Sequence, residues 1–266
     1  MLNNLKKNFH IYLLIFLYLS LVTGLFFNED STGGGLLDYY FVKSIVNNFS
    51  NNFKEYFFTY ENRHSPIFYI FLSFLKKMSL SFDIIRFIYI NFAIMIIYFF
   101  YKCLKINFSN VSNILLITLS GSILLSPNFR TFSIWLQPII TGILLLVLAI
   151  YYYIKFLKSD NKKNKFKYAL INTVFTAISA YISPNYSIFF IYFIFNFLFY
   201  FKFSKEFFII IALNLILSLP ALYYFIVLEM YQNFFSTVSS YGKTGIAFNF
   251  SNKIIIISSI ILFHLF

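Results

Sequence analysis

Long apolar runs separated by short polar breaks dominate the chain. A helix rises about 1.5 Å per residue and the hydrocarbon core of a bilayer is about 30 Å thick, so a perpendicular crossing takes roughly 20 residues. Runs near that length lie at 9–27, 84–101, 111–127, 134–154, 168–183, 187–201, 207–228 and 253–266. Together they predict an all-α, polytopic transmembrane bundle of about eight spans. Residues 168–183 and 187–201 are joined only by SPNY, which predicts a tight helical hairpin. The first run follows Lys6 and Lys7, and no A-x-A-like cleavage site comes after it, so an uncleaved first helix is expected rather than a signal peptide.

One run breaks the pattern. PIFYIFLSFL, 66–75, stops at Lys76 and Lys77 after too few residues to cross. Charge decides its placement. If it does not cross, one side of the membrane collects 12 basic and 2 acidic residues, including the KFLKSDNKKNKFK cluster, and the other side holds 9 basic and 7 acidic. If it crosses, every later loop flips and the basic residues divide 8 inside to 13 outside, against the positive-inside rule. We therefore expect 66–78 to lie at or dip into the outer leaflet, with Ile67, Ile70, Phe71, Phe74, Leu75 and Met78 along one face and the two lysines reaching headgroups.

Composition agrees with a membrane protein: 60% of residues are hydrophobic, 11% are charged and the mean hydropathy is +0.76, too little polar surface to coat a soluble globule. The 40 Phe and 22 Tyr accompany an excess of Ile, Asn and Lys that reads as codon bias in an AT-rich genome, so the aromatics carry no functional weight. The single cysteine, Cys103, excludes an intramolecular disulfide framework and a multi-cysteine metal site. The net charge of +12 is scattered in short clusters between apolar runs, which reads as topology and not as a nucleic-acid surface.

This topology makes 28–83 one long outer loop, far beyond ordinary connection length. It opens with NEDSTGGGLLDYYFVKSIVNNF, in which Leu37, Phe41, Ile45 and Phe49 recur every four residues and predict a second interfacial helix. Asp38 falls in its first turn. Two readings fit it: an acid complementing the helix dipole, or a reactive carboxylate at the membrane face, and Glu29 and Asp30 share the first reading. Arg63, His64, Ser65 and Pro66 open the next helix. Ser65 suits an N-cap and Pro66 a first turn, while His64 and Arg63 are either polar interface residues or, with the free N–H groups of the helix start, a phosphate site. SPNF (126–129) and SPNY (183–186) read as helix stops and turns. Arg130 is either a snorkelling anchor or a further phosphate ligand. No Walker, H-E-x-x-H or G-x-S-x-G pattern occurs, nor a cluster with metal-ligand spacing.

The acid near an interfacial helix (GGGLLDYYFVKSIV), the His-x-Pro element (RHSPIFYIFLSFLKK), the arginine at the start of the next span (FDIIRFIYINF) and LLSPNFRTFSIW resemble the N-terminal part of the GT-C superfamily of polyprenyl-phosphate-sugar-dependent glycosyltransferases, of the mannosyltransferase and aminoarabinose-transferase kind. The resemblance covers most of residues 1–200. It implies sugar transfer from a polyprenyl-phosphate donor to a lipid, glycan or protein acceptor at the outer face of a bacterial inner membrane, with the N-terminus cytoplasmic. Asp38 would be the general base, and Arg63, His64, Arg130, Lys76 and Lys77 would hold the lipid phosphate. Inversion at the anomeric carbon and no metal or cofactor are expected. Family members usually continue through more spans, so residues 1–266 are expected to form one transmembrane module truncated at its C-terminus. The competing reading is a transporter, flippase or carrier of lipid-linked saccharides, which would place ionisable residues at mid-membrane.

Overall fold

The computed structural model describes residues 2–60 and 65–226. Residues 2–60 and 65–220 form one compact unit, described here; 221–226, the end of the last described helix, fall to a second unit. Among the described residues the chain is helical and contains no strand. The α-helices are α1 (Leu2–Phe26), α2 (Gly35–Asn51), α3 (Phe53–Phe58), α4 (Ile67–Lys77), α5 (Phe82–Asn107), α6 (Asn113–Gly121), α7 (Pro127–Ile134), α8 (Pro138–Lys158), α9 (Lys162–Ile182), α10 (Ile188–Phe201) and α11 (Lys205–Ile226), with 3-10 turns at Ser122–Leu125 and Pro184–Ser187.

Two of these helices, α5 and α8, are long and apolar enough to cross a membrane. The all-helical class is as expected, whereas helices of full crossing length and apolarity number two among the described residues and not about eight. The run 111–127 is divided into α6, a 3-10 turn and the start of α7, and the apolar parts of α1 and α10 are shorter than a full crossing. α9 has the length of α8 but carries Asn172, Thr173, Thr176 and Ser179, all buried. The expected span 253–266 lies outside the described residues.

Local sequence sets the helix boundaries. Ser81, Ser112 and Asn161 accept backbone N–H groups in the first turns of α5, α6 and α9. SPNF both stops and starts a helix: the preceding 3-10 turn ends at Leu125, as read from the sequence, and then Ser126 caps α7 through the N–H of Phe129, with Pro127 in the first helical position, where a missing N–H is no loss. SPNY likewise opens a 3-10 turn, which joins α9 to α10 in the expected hairpin.

α8 and α9 pack against each other and are joined by interhelical hydrogen bonds. Ala149 and Ala169 are fully buried, and small residues let the two backbones approach. Asn172 Nδ2 donates to the Ala149 carbonyl at 2.8 Å, and Ser179 Oγ donates to the Gly142 carbonyl at 2.9 Å. Against this pair, Tyr153, Phe156, Phe193, Phe197, Phe201 and Phe207 make an aromatic core with α10 and α11.

α4 ends at its two lysines, as expected for a helix too short to cross. Its buried face is Phe68, Tyr69 and Leu72, whereas Phe71, Phe74 and Met78 of the predicted outward stripe are exposed. α2 corrects the four-residue stripe: Leu37 and Phe41 are 74% and 53% exposed, but Ile45 and Phe49 are 4% and 0%. A four-residue step overshoots a 3.6-residue turn by about 40°, so the stripe winds from the outer face into the core.

Asn172→Ala removes an interhelical hydrogen bond and should lower the unfolding midpoint in detergent by the equivalent of about 1 kcal/mol. Asn196→Ala, whose exposed amide bonds within its own helix, should leave the midpoint unchanged in the same thermal melt.

Candidate functional site

The segment between α1 and α2 is fixed by its own acids. Asn28 turns the chain with a left-handed backbone (φ 51°), a conformation Asn tolerates, and the Glu29 N–H returns to the Gly24 carbonyl at 2.8 Å. Asp30 then caps α2 from outside the helix: its two carboxylate oxygens accept the N–H groups of Gly35 (3.1 Å) and Leu36 (3.2 Å). Burial works to raise the Asp30 pKa, but these N–H groups, Gly33 and Thr32 together bring it below its ordinary value.

Glu29 reaches across the fold to α7. Its carboxylate takes a two-pronged hydrogen bond from Arg130, Nε to Oε1 at 2.6 Å and NH2 to Oε2 at 2.5 Å, and Ser31 Oγ donates to Oε1 at 2.7 Å. Arg130 also donates to the hydroxyl and carbonyl oxygens of Ser20 on α1. The Glu29 carbonyl accepts the indole N–H of Trp135 at 2.8 Å.

A second arginine completes the junction. Arg86, buried at the start of α5, donates from Nε to the Ile134 carbonyl and from NH2 to Asn28 Oδ1, both at 3.1 Å. Its guanidinium lies 4.3 Å from the Trp135 ring centroid and 5.3 Å from that of Tyr39. One step beyond Trp135, Leu136 is held with a positive φ of 56°, an unfavourable backbone for a branched side chain. The hydrogen bonds of Trp135 and of the Ile134 carbonyl fix the chain on its N-terminal side.

Two glycines at this junction leave room for the side chains packed against them. A Cβ at Gly24 would run into Glu29 Oε2 and come within 3.1 Å of Arg130, and a Cβ at Gly35 would run into Trp135 and Thr131.

The Arg130 hydrogen bond holds the Glu29 carboxyl below its ordinary 4.5, with burial opposing and Ser31 assisting. The same bond holds the Arg130 guanidinium above its ordinary value. Because the folded pKa of Glu29 is the lower one, the pair's contribution is complete above about pH 4.5 and is lost as pH falls through the depressed folded value.

The expected site residues fall in different places. Asp38 lies one turn into α2 with an exposed carboxylate that makes no hydrogen bond or ion pair among the described residues. Arg130 is engaged by Glu29. Lys76 lies with its Nζ 5.1 Å from the Phe82 ring centroid, and Lys77 lies 5.6 Å from that of Phe53. Arg63 and His64 lie outside the described residues. The junction itself, Asn28, Glu29, Asp30, Arg86 and Trp135, was not assigned from sequence. Its available signals were the NED run closing the first apolar helix and the chain's single Trp five residues after Arg130.

No metal-holding cluster of His, Cys, Asp or Glu occurs among the described residues. Chemically, the arrangement separates its acids: the Glu29 and Asp30 carboxylates each accept three hydrogen bonds, while that of Asp38 accepts none among the described residues. No protein-family model, curated protein or solved structure matches the chain.

Gly24→Val should push Glu29 off Arg130 and lower stability by about 2 kcal/mol, the cost of leaving a partly buried cation without its partner. Thermal melts in detergent at pH 7 should show this loss, and the variant's midpoint should vary less than the wild type's between pH 7 and pH 4.

Proposed function

We propose that the chain is an integral membrane glycosyltransferase of GT-C type, moving a sugar from a polyprenyl-phosphate donor to a lipid, glycan or protein acceptor. In this reading it lies in a bacterial inner membrane with its N-terminus in the cytoplasm, spans about eight times, and works at the outer face. The observation that carries the reading is the division of labour among the acids after α1. Glu29 and Asp30 are consumed by the architecture, and Asp38 is left exposed on a helix anchored through Gly35 to Trp135.

Asp38 takes the proton from the acceptor hydroxyl as its oxygen attacks the anomeric carbon. The bond from that carbon to the lipid phosphate breaks, and the phosphate leaves with the electron pair. One base and an in-line displacement invert the anomeric centre. Charge developing on the phosphate calls for cations in a low-dielectric setting. Lys76 and Lys77, which are in no ion pair among the described residues, are candidates, together with Arg63 and His64, which lie outside the described residues. Arg130 joins them only by exchanging Glu29 for the phosphate.

The carrier reading is less well supported. A carrier places ionisable groups along the middle of its spans, whereas the charged residues of α5 and α8 sit near the helix ends.

Membranes carrying the wild-type chain should transfer labelled sugar from polyprenyl-phosphate donors, and Asp38→Asn at matched expression should lower the rate by about 100-fold or more. Equal rates in the two would remove Asp38 from the mechanism, and absence of transfer in both would count against the enzyme reading of this chain.

A further inference from the structure

We propose that Lys43 and Lys76 form a phosphate-binding notch for the headgroup of an anionic membrane lipid, at the level where the surface of α2 passes from hydrocarbon to water. The inference rests on the membrane reading above; it shares Lys76 with the cations proposed for the donor phosphate, and its test reads lipid retention and not sugar transfer. Two observations meet at this level.

The first is a change along one face of α2. At about 100° per residue, positions 36, 37, 40, 41, 44 and 48 share the outward side, opposite buried Tyr39, Val42, Val46 and Phe49. Its first turns expose Leu36, Leu37, Tyr40 and Phe41, and the same side then continues with exposed Ser44, Asn48 and Asn51. Phe26 and Phe27 at the end of α1 are exposed as well, so apolar surface borders α2 at its start. A helix wholly in water would not leave four large apolar side chains uncovered together, and one wholly in lipid would not follow them with Ser and Asn. On this outward side the hydrocarbon boundary therefore falls between Phe41 and Ser44; Asp38, also exposed, lies about 60° round the helix from Phe41 and off that side.

The second observation is the cation at that boundary. Lys43 Nζ lies 5.4 Å from the Phe82 ring centroid, and Lys76 Nζ, arriving from α4, lies 5.1 Å from the same centroid. Both lysines are half-buried, and neither is in an ion pair among the described residues. Asp83, adjacent to Phe82, is turned to Arg86 at 3.8 Å instead. Two ammonium groups against one ring, with N–H donors to spare and no carboxylate paired to them among the described residues, suit the single negative charge of a phosphodiester at headgroup depth.

The test is native mass spectrometry of the detergent-purified chain titrated with phosphatidylglycerol, in wild type, Lys43→Gln/Lys76→Gln and, as a distant control, Lys202→Gln. The double variant should retain the lipid roughly thirtyfold more weakly, with the control unchanged and thermal melts confirming that all three are folded. In proteoliposomes, spin labels at Leu37 and Asn48 in a Cys103→Ser background should report lipid and water, respectively. Unaltered retention by the double variant would overturn the proposal. So would displacement of the lipid by an equal concentration of inorganic phosphate, which would indicate a free-anion site, or one shared environment at positions 37 and 48. A negative sugar-transfer assay bears on none of these readouts.

Discussion

The ion pair between Glu29 and Arg130 is the contact on which the arrangement around the candidate site depends. It links residues 101 positions apart and ties the turn after α1 to α7. Its location is fixed by neighbours that admit few alternatives: Gly24 leaves room for the carboxylate, Ser20 takes two further guanidinium donors, and Trp135 grips the Glu29 carbonyl. Arg86 extends the same junction to α5 by holding Asn28 and the Ile134 carbonyl. A two-pronged pair that is only partly solvated is much less screened than a surface salt bridge, while loss of either partner strands a charge.

This clasp also assigns the acids their roles. With Glu29 paired and Asp30 bound to the N–H groups that open α2, the start of that helix has a defined position. Asp38, one turn later, then projects from a fixed support without being tied down itself. A proton acceptor requires that combination of a rigid backbone and a carboxylate whose lone pairs remain open. The same helix carries the surface change from Phe41 to Ser44 and the lysine at that level, so the chemistry proposed for Asp38 and the lipid contact proposed for Lys43 share one scaffold.

Much of the helical plan was legible in the sequence because hydropathy and local caps set it. α4 stops where Lys76 and Lys77 stop the apolar run, and α9 and α10 make the hairpin implied by SPNY. Local signals failed where three-dimensional phase or long-range pairing decides. The Leu37-to-Phe49 stripe looked like one face, but its period differs from that of the helix. SPNF looked like an ending because Pro stops the preceding helix, yet Ser126 and Pro127 begin the next one. The eight hydropathic runs did not all become long uninterrupted apolar helices, because hydropathy averages over interruptions such as the turn at Ser122–Leu125. The Glu29–Arg130 pair has no local signature, so the sequence leaves Arg130 as a snorkelling anchor or a phosphate ligand and Glu29 as a helix-start acid.

A double-mutant cycle on the clasp, Glu29→Gln, Arg130→Met and the two combined, followed by reversible unfolding in detergent at pH 7, tests this account most directly. The account predicts a coupling energy of about 2 kcal/mol between the two positions, with the double variant more stable than the two single losses would give if they were additive. Additive losses, with coupling below about 0.5 kcal/mol, would contradict it.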